Sequence, residues 1–183
     1  SGGSAVAIAE ADIRGNKITK RYTLFAGSPL LEVNYQFEFV NPELNVVGVN
    51  PIIKLGEVCD GSHVFYFPTK QGIEERRFLE HRMYGECFNL EEGWVACYDE
   101  VEKLTLITGF DVEKPYLVHF WENTPQNYDS HYYYVEIQPW IRTAEGQTNY
   151  FTYYLYGCKG DWRDAVEEFR KIGMPLKRPS AYS

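Results

Sequence analysis

The sequence lacks a surplus of positive charge. Its 183 residues contain 18 lysines and arginines against 26 aspartates and glutamates, which gives a net charge of −8. Nucleic acids and anionic membranes attract basic surfaces, so neither is expected as the main partner. No apolar run approaches the roughly 18 residues that a membrane-spanning helix needs. The sequence therefore predicts no nucleic acid and no membrane among its partners.

Cysteine and the common catalytic motifs are also scarce. The four cysteines, Cys59, Cys87, Cys97 and Cys158, show no CxxC spacing, which argues against a zinc site. Free thiols and one or two disulfides both stay open, because the compartment, secreted or cytoplasmic, is open. There is no glycine-rich phosphate loop, no G-x-S-x-G and no H-E-x-x-H. We expect neither a metal nor a cofactor.

Aromatic residues, by contrast, are abundant. They make up 16% of the chain, with 15 tyrosines, 11 phenylalanines and 4 tryptophans. Such side chains favour strands and surfaces that are half apolar and half wet. The length suits one domain, which we place at residues 5–176, with a tag scar or linker at 1–4 and a tail at 177–183.

Strand patterns dominate this domain. In Leu30–Val40 apolar and polar residues alternate, which indicates an antiparallel strand with one buried face. One helix is predicted near the C-terminus, at Trp162–Ile172, with Asp161 as its N-cap. The fold class is therefore all-β, an antiparallel β-sandwich with one C-terminal α-helix, and a closed barrel is the alternative. Further strands are predicted at Ala5–Ala11, Ile18–Phe25, Val46–Leu55, His63–Phe67, Gly93–Tyr98, Leu104–Phe110 and Tyr116–Trp121.

The strand Tyr132–Ile141 carries an unusual polar and aromatic side. Val135, Ile137, Pro139 and Ile141 alternate with Tyr134, Glu136, Gln138 and Trp140. A turn near Glu145 predicts a hairpin with Tyr150–Tyr156, which would bring Tyr150 opposite Trp140 and Tyr154 opposite Glu136. Aromatic rings stack on sugar rings, and carboxylates and amides bond their hydroxyls, so we expect a carbohydrate-binding face. The alternative is a face covered by another sheet or domain. The substrate-binding candidates on this face are Tyr134, Gln138, Trp140, Tyr150 and Tyr154.

A second group of residues is typical of acid–base chemistry. His119 and Trp121 share one side of a predicted strand, and His131 precedes the strand that contains Glu136. A histidine and a glutamate on either side of a sugar could protonate the ring oxygen and deprotonate the anomeric hydroxyl. We therefore name His119, His131 and Glu136 as catalytic candidates and Trp121 as a substrate-binding one. The alternative is that the histidines have structural roles.

A charged run extends from Lys70 to Arg82 and predicts a loop or short edge strand. Arg77 and His81 are candidates for contact with an anionic sugar or a partner domain. A solvated edge is the alternative.

The segment Ile18–Val33, with its Tyr-Thr-Leu-Phe-Ala-Gly-Ser-Pro-Leu-Leu-Glu-Val run, resembles the β-sandwich domains of the galactose-mutarotase-like family. Val135–Pro139 and the helix that follows Gly160-Asp161-Trp162 also look similar to such domains. The resemblance implies an antiparallel supersandwich and a carbohydrate context, as in domains found in or attached to glycoside hydrolases. It places no catalytic residue.

Three functional hypotheses follow. The first is a carbohydrate-binding accessory domain of a glycan-processing enzyme, with a neighbouring catalytic domain as a partner. The second is a small mutarotase, epimerase or lyase that uses His119 or His131 with Glu136. The third is a structural domain whose aromatic face packs on a catalytic neighbour.

Overall fold

The computed structural model describes residues 2–40, 46–48, 52–56, 62–77, 84–88, 90–110, 116–123, 132–142, 146 and 148–172. For 46–48, 52–56, 84–88, 116–123 and 132–142 it gives the backbone and its pairing. The described part consists of antiparallel sheet and one helix, which confirms the predicted fold class. The strands are β1 (Ser4–Ile13), β2 (Asn16–Phe25), β3 (Leu30–Glu38), β4 (Val46–Gly48), β5 (Ile52–Gly56), β6 (His63–Thr69), β7 (Gly72–Arg77), β8 (Tyr84–Phe88), β9 (Trp94–Asp99), β10 (Leu104–Phe110), β11 (Tyr116–Asn123), β12 (Tyr132–Arg142) and β13 (Thr148–Lys159), and the helix is α1 (Trp162–Lys171).

The strands form two sheets. The larger sheet has eight strands in the order β1-β2-β3-β13-β10-β9-β6-β7. The smaller sheet has the order β4-β12-β11-β8, and β5 also pairs with β12. Within the charged run, Gly72–Arg77 form β7 at the end of the described larger sheet, in agreement with the second of the two predicted alternatives, and residues 78–82 lie outside the described residues.

The hairpin of β1 and β2 turns at Arg14 and Gly15, whose φ angles are 55° and 85°. Two successive residues with positive φ match the right-handed twist of the strands that they connect. The Asp12 carboxylate accepts a hydrogen bond of 2.8 Å from the Gly15 amide and holds the turn. The tight turn fixes the register of the whole hairpin, from Ile13 opposite Asn16 to Ser4 opposite Phe25.

Both faces of the larger sheet are buried around β9, whereas β1 at its edge is exposed along its length. In β9, Val95 and Cys97 belong to one face, and Trp94, Ala96 and Tyr98 to the other, because strand side chains alternate. A strand that is apolar on both sides is typical of a middle layer. The first face carries the phenylalanine cluster: Val33, Phe37, Phe39, Phe65, Phe67, Leu90, Val95, Cys97, Phe110, Phe151 and Tyr153.

Helix α1 covers the opposite face. Asp161 accepts a hydrogen bond of 2.9 Å from the Arg163 amide, which confirms the predicted N-cap. The helix buries one apolar side in what we call the helix cluster. Its members are Leu30, Trp94, Ala96, Tyr98, Ile107, Trp162, Ala165, Val166 and Phe169.

Residues 46–55, predicted as one extended stretch, are described at β4 and β5, which pair with β12 in a single antiparallel register, and residues 49–51 lie outside the described residues. The helix predicted at Trp162–Ile172 ends at Lys171, and Ile172 is its C-cap and is 40% exposed.

The predicted hairpin between β12 and β13 was wrong. The two strands lie in different sheets, and β13 pairs with β3 and β10 instead. The Gly146 amide donates a hydrogen bond of 2.7 Å to the Phe39 carbonyl. The connection therefore passes from the smaller sheet to the end of β3 in the larger one, and β13 continues along β3.

Candidate functional site

The antiparallel pairing of β11 and β12 brings two of the predicted catalytic residues opposite each other. His119 pairs with Glu136 in the register of the two strands. Directly opposed residues of an antiparallel pair have Cβ atoms about 5 Å apart, on the same face of the sheet. The register thus puts a histidine and a carboxylate at neighbouring positions of one face.

The same face contains four of the predicted substrate-binding residues. Trp121 lies opposite Tyr134, and Leu117 lies opposite Gln138. Trp140 follows two residues after Gln138 and pairs with Gly48 of β4. Because alternate residues of a strand share a face, all these positions fall on the side of His119 and Glu136. We call this set the β11–β12 face: His119, Trp121, Tyr134, Glu136, Gln138 and Trp140.

The alternation of the sequence explains why these residues share a side. The intervening positions, Val118 and Phe120 in β11 and Val135 and Ile137 in β12, are apolar and have the composition of a core face. A shift of one residue in either strand would exchange the two sets. The pairing of β12 with β5 is irregular between Tyr133 and Tyr134, while its pairing with β11 is continuous from Tyr132 to Pro139.

Tyr150 and Tyr154 do not join this face. They lie on β13 in the larger sheet, so the predicted aromatic platform of β12 and β13 was wrong in its pairing. Tyr150 is 60% exposed, whereas Tyr154 packs beside the helix cluster. Local alternation identified both strands correctly, but the partners of β13 are more than 40 residues away along the chain.

Arg77 is held by acidic neighbours. Its two terminal nitrogens donate to Glu100 Oε2 at 2.6 Å and Oε1 at 2.9 Å, in a bidentate pair. These hydrogen bonds raise the pKa of the Arg77 guanidinium and lower the pKa of Glu100. The role of Arg77 in binding stays a prediction. His81 and His131 lie outside the described residues.

A cavity of about 570 Å³ contains a histidine that the sequence did not single out. His63 Nε2 lies 3.3 Å from Asp99 Oδ2, and its Nδ1 lies 3.2 Å from Ser62 Oγ. Asp99 Oδ1 also accepts hydrogen bonds from the amides of Val101 and Glu102. Contacts at both ring nitrogens fix the imidazole, which is typical of a structural histidine. The pairing of β6 with β9 sets this contact, and no local motif predicts it.

The fold was compared with known proteins. No model of a known protein family and no curated protein matches the sequence. A candidate aldose 1-epimerase from Escherichia coli K12 is similar in structure, with a TM-score of 0.54 and 11% identity over 86% of this chain. A galactose mutarotase related enzyme from Lactobacillus acidophilus has a TM-score of 0.53 and 14% identity, also over 86%. An α-N-acetylgalactosaminidase from Bifidobacterium bifidum has a TM-score of 0.58 and 12% identity over 92%.

The chain has a galactose-mutarotase-like fold. The resemblance inferred from the sequence is therefore confirmed. At these identities the likeness concerns the fold, which hosts many functions. This galactose-mutarotase-like domain spans 65% of the E. coli protein, 69% of the Lactobacillus protein and 30% of the Bifidobacterium enzyme.

The galactose-mutarotase-like sandwich also holds a lysine among tyrosines. Lys20 Nζ lies 4.9 Å from the ring centres of both Tyr22 and Tyr35. Burial lowers the pKa of Lys20, but hydrogen bonds with Tyr22 and Tyr35 outweigh it and the pKa is raised. Burial raises the pKa of the neighbouring Tyr153 to about 12. The ammonium and the tyrosine hydroxyls satisfy one another, so this cluster stabilises the end of the phenylalanine cluster.

Among the described residues, no group of histidine, cysteine, aspartate and glutamate side chains is arranged to hold a metal ion. In the same part of the chain, no helix has the length and apolar character needed to span a bilayer. Cys97 and Cys158 are free thiols. The β11–β12 face carries four of the eight predicted substrate-binding residues, together with His119 and Glu136.

Proposed function

We propose that this domain binds carbohydrate through the β11–β12 face, as an accessory part of a glycan-processing enzyme. The observation that carries the proposal is the register, which assembles four substrate-binding candidates around His119 and Glu136 on one face. Indole and phenol rings match the apolar C–H faces of pyranose rings, and the carboxylate and amide match their hydroxyls. The similarity to sugar-active enzymes supports the same class of ligand.

A glycan array followed by titration calorimetry tests this binding. We expect at least one glycan to bind the intact domain and Trp140→Ala to weaken that binding by about 30-fold or more, because removal of a central aromatic anchor costs about 2 kcal/mol or more. Phe25→Ala is the matched control, since Phe25 is an exposed aromatic residue in the larger sheet. A folded protein that binds no glycan would refute the proposal.

The opposition of His119 and Glu136 supports a second candidate function, the interconversion of sugar anomers. Glu136 would take the proton of the anomeric hydroxyl while His119 gives a proton to the ring oxygen. The bond between the anomeric carbon and the ring oxygen breaks, and an open-chain aldehyde forms. Rotation and reclosure, with both protons returned, would then yield the other anomer.

Anomer exchange can be followed by NMR with galactose and glucose. We expect Glu136→Gln and His119→Asn each to lower the rate by about 100-fold or more, since positioned acid–base groups contribute about that much. Glu122→Gln is the control, because Glu122 lies in β11 on the opposite face of the sheet. An exchange rate equal to that of buffer would exclude catalysis and leave sugar binding as the function.

A further inference from the structure

A separate groove of about 420 Å³ crosses four strands of the larger sheet. It lies on β1, β2, β3 and β13, and therefore not on the β11–β12 face. Its wall combines polar side chains with Ile8 and two tyrosines, Tyr35 and Tyr150. The polar members are Thr19, Arg21, Asn34, Gln36 and Thr152.

The register of the four strands arranges these residues in two parallel rows. In one row, Ile8 lies opposite Arg21, Arg21 opposite Asn34 and Asn34 opposite Thr152. In the other row, Glu10, Thr19, Gln36 and Tyr150 follow one another across the same strands. Four strands at a spacing of about 4.8 Å make each row about 14 Å long, which is roughly the length of three linked sugar rings.

Two amides in the groove have fixed orientations. Asn34 Nδ2 donates to Thr152 Oγ1 at 2.7 Å, and Gln36 Nε2 donates to Glu38 Oε1 at 3.0 Å. Each amide uses one donor on a neighbour and keeps a carbonyl oxygen with acceptor capacity. Tyr150 ends the second row with 60% of its surface exposed. The groove therefore presents fixed acceptors beside an accessible ring.

Arg21 supplies the donors. It is exposed, and its side chain has no hydrogen bond or ion pair with the described residues. Four other arginines do meet carboxylates: Arg76, Arg77, Arg163 and Arg170. Glu10, Glu32 and Glu38 belong to the same face by strand alternation, so the surroundings of the groove are acidic. This charge opposes an anionic ligand and suits a hydroxyl-rich neutral one.

We propose that the groove is a second carbohydrate site, which binds a neutral oligosaccharide of about three sugar rings across β1, β2, β3 and β13. Tyr150 stacks on a ring at one end. Arg21 donates to hydroxyl oxygens, and the Asn34 and Gln36 carbonyls accept from hydroxyl groups. The site is independent of the β11–β12 face, because no residue or strand is common to both.

The test is an NMR titration of the isotope-labelled domain with maltotriose, cellotriose and galactotriose, and with trigalacturonate as the anionic counterpart. We expect at least one neutral trisaccharide to shift the backbone signals of Arg21, Asn34, Gln36 and Tyr150. Tyr150→Ala and Arg21→Gln should each weaken this binding by about tenfold. Trp140→Ala should leave it unchanged, so a failure of this site and a failure of the β11–β12 face are distinguishable.

Matched controls separate a site from a general loss of charge or aromatic surface. Lys17→Gln removes a cation from the same face of β2, and Phe25→Ala removes an exposed ring from the same strand. Both should bind as the unmodified domain does. The proposal is overturned if no neutral trisaccharide shifts these signals, if Tyr150→Ala and Arg21→Gln bind normally while folded, or if trigalacturonate binds more tightly than galactotriose.

Discussion

Gly109 in β10 faces the end of the fully buried Phe169 ring of helix α1. A Cβ atom built at position 109 would overlap that ring. The helix is thus seated on the sheet at a point where the sheet has no side chain. The sequence pattern predicted the helix, but no local feature predicted the contact of Phe169 with a glycine 60 residues earlier. That contact depends on how the helix crosses the sheet.

Gly109→Ala should lower the free energy of unfolding by about 1–3 kcal/mol, because an added methyl group in a packed core forces side chains out of place. Urea denaturation measures the change. Gly157→Ala is the control, since a Cβ at Gly157 has no heavy atom within 4 Å. Equal midpoints for the two variants would contradict the packing that we describe.

Tyr153 should contribute to a loss of stability in alkali. Burial raises its pKa from 10.0 to about 12, so the folded state keeps the phenol proton to a higher pH than the unfolded state does. The stabilisation is complete below pH 10 and is lost as the pH rises from 10 to 12.

Unfolding measured from pH 8 to 12 should therefore show a shallower alkaline decline for Tyr153→Phe than for the unmodified domain. Tyr150→Phe, at an exposed position of the same strand, should retain the full decline. Parallel curves for the unmodified domain and Tyr153→Phe would disprove the role of Tyr153.

At the scale of elements, Arg170 and Glu92 connect the helix to the sheet. Arg170 Nε and Nη2 donate to Glu92 at 2.8–3.0 Å, and Glu92 also accepts from the Trp94 indole at 3.0 Å. The Glu92 side chain is only 16% exposed, so it depends on these donors. Burial alone would lower the pKa of Arg170, but its hydrogen bonds with Glu92 raise it.

Arg170→Ala should cost about 1–3 kcal/mol of stability, because it leaves a largely buried carboxylate without its cation. Lys171→Ala removes the neighbouring cation, whose pair with Glu168 is exposed, and should change stability by less than about 0.5 kcal/mol. Thermal unfolding of both variants provides the comparison. Similar losses of stability for both variants would show that the Arg170–Glu92 pair contributes no more than an exposed ion pair.

Strand identity could be predicted from sequence, but strand partnership could not. The alternation in β3 placed its apolar and polar sides, and Asp161 marked the start of the helix. The adjacent strands β12 and β13 nevertheless separate into different sheets. Period-two alternation is the same whichever strand pairs with a given strand. The sequence of the loop near Gly146 did not indicate that the chain passes there from the smaller sheet to the larger one. The opposition of His119 and Glu136 is likewise a property of register, which the sequence does not encode locally.

For the whole molecule, the two sheets should unfold together. The pairing of β3 with β13 joins positions that are distant in the chain, such as Asn34 and Thr152. The larger sheet therefore forms only when the N-terminal strand β3 and the C-terminal strand β13 are paired. A sheet with apolar faces is stable only when another layer covers them. Each sheet thus depends on the rest of the sandwich.

Tryptophan fluorescence can report the two sheets separately. A variant with Trp121→Phe and Trp140→Phe retains Trp94 and Trp162 of the helix cluster. A second variant, with Trp94→Phe and Trp162→Phe, retains Trp121 and Trp140 of the smaller sheet. We expect urea transitions within each variant to coincide with those followed by circular dichroism, which is the sign of a cooperative two-state unit. A separate fluorescence transition for the smaller sheet would contradict this expectation.

The packing of Phe169 against Gly109 also restricts which substitutions these two positions can accept during evolution. Any larger residue at position 109 would overlap the Phe169 ring and lower stability, whereas a smaller residue at position 169 would leave room for it. Substitutions are therefore expected in a fixed historical order, with the helix position changing first and the sheet position following. In descendants of this sequence, a side chain at 109 should accompany a reduced one at 169.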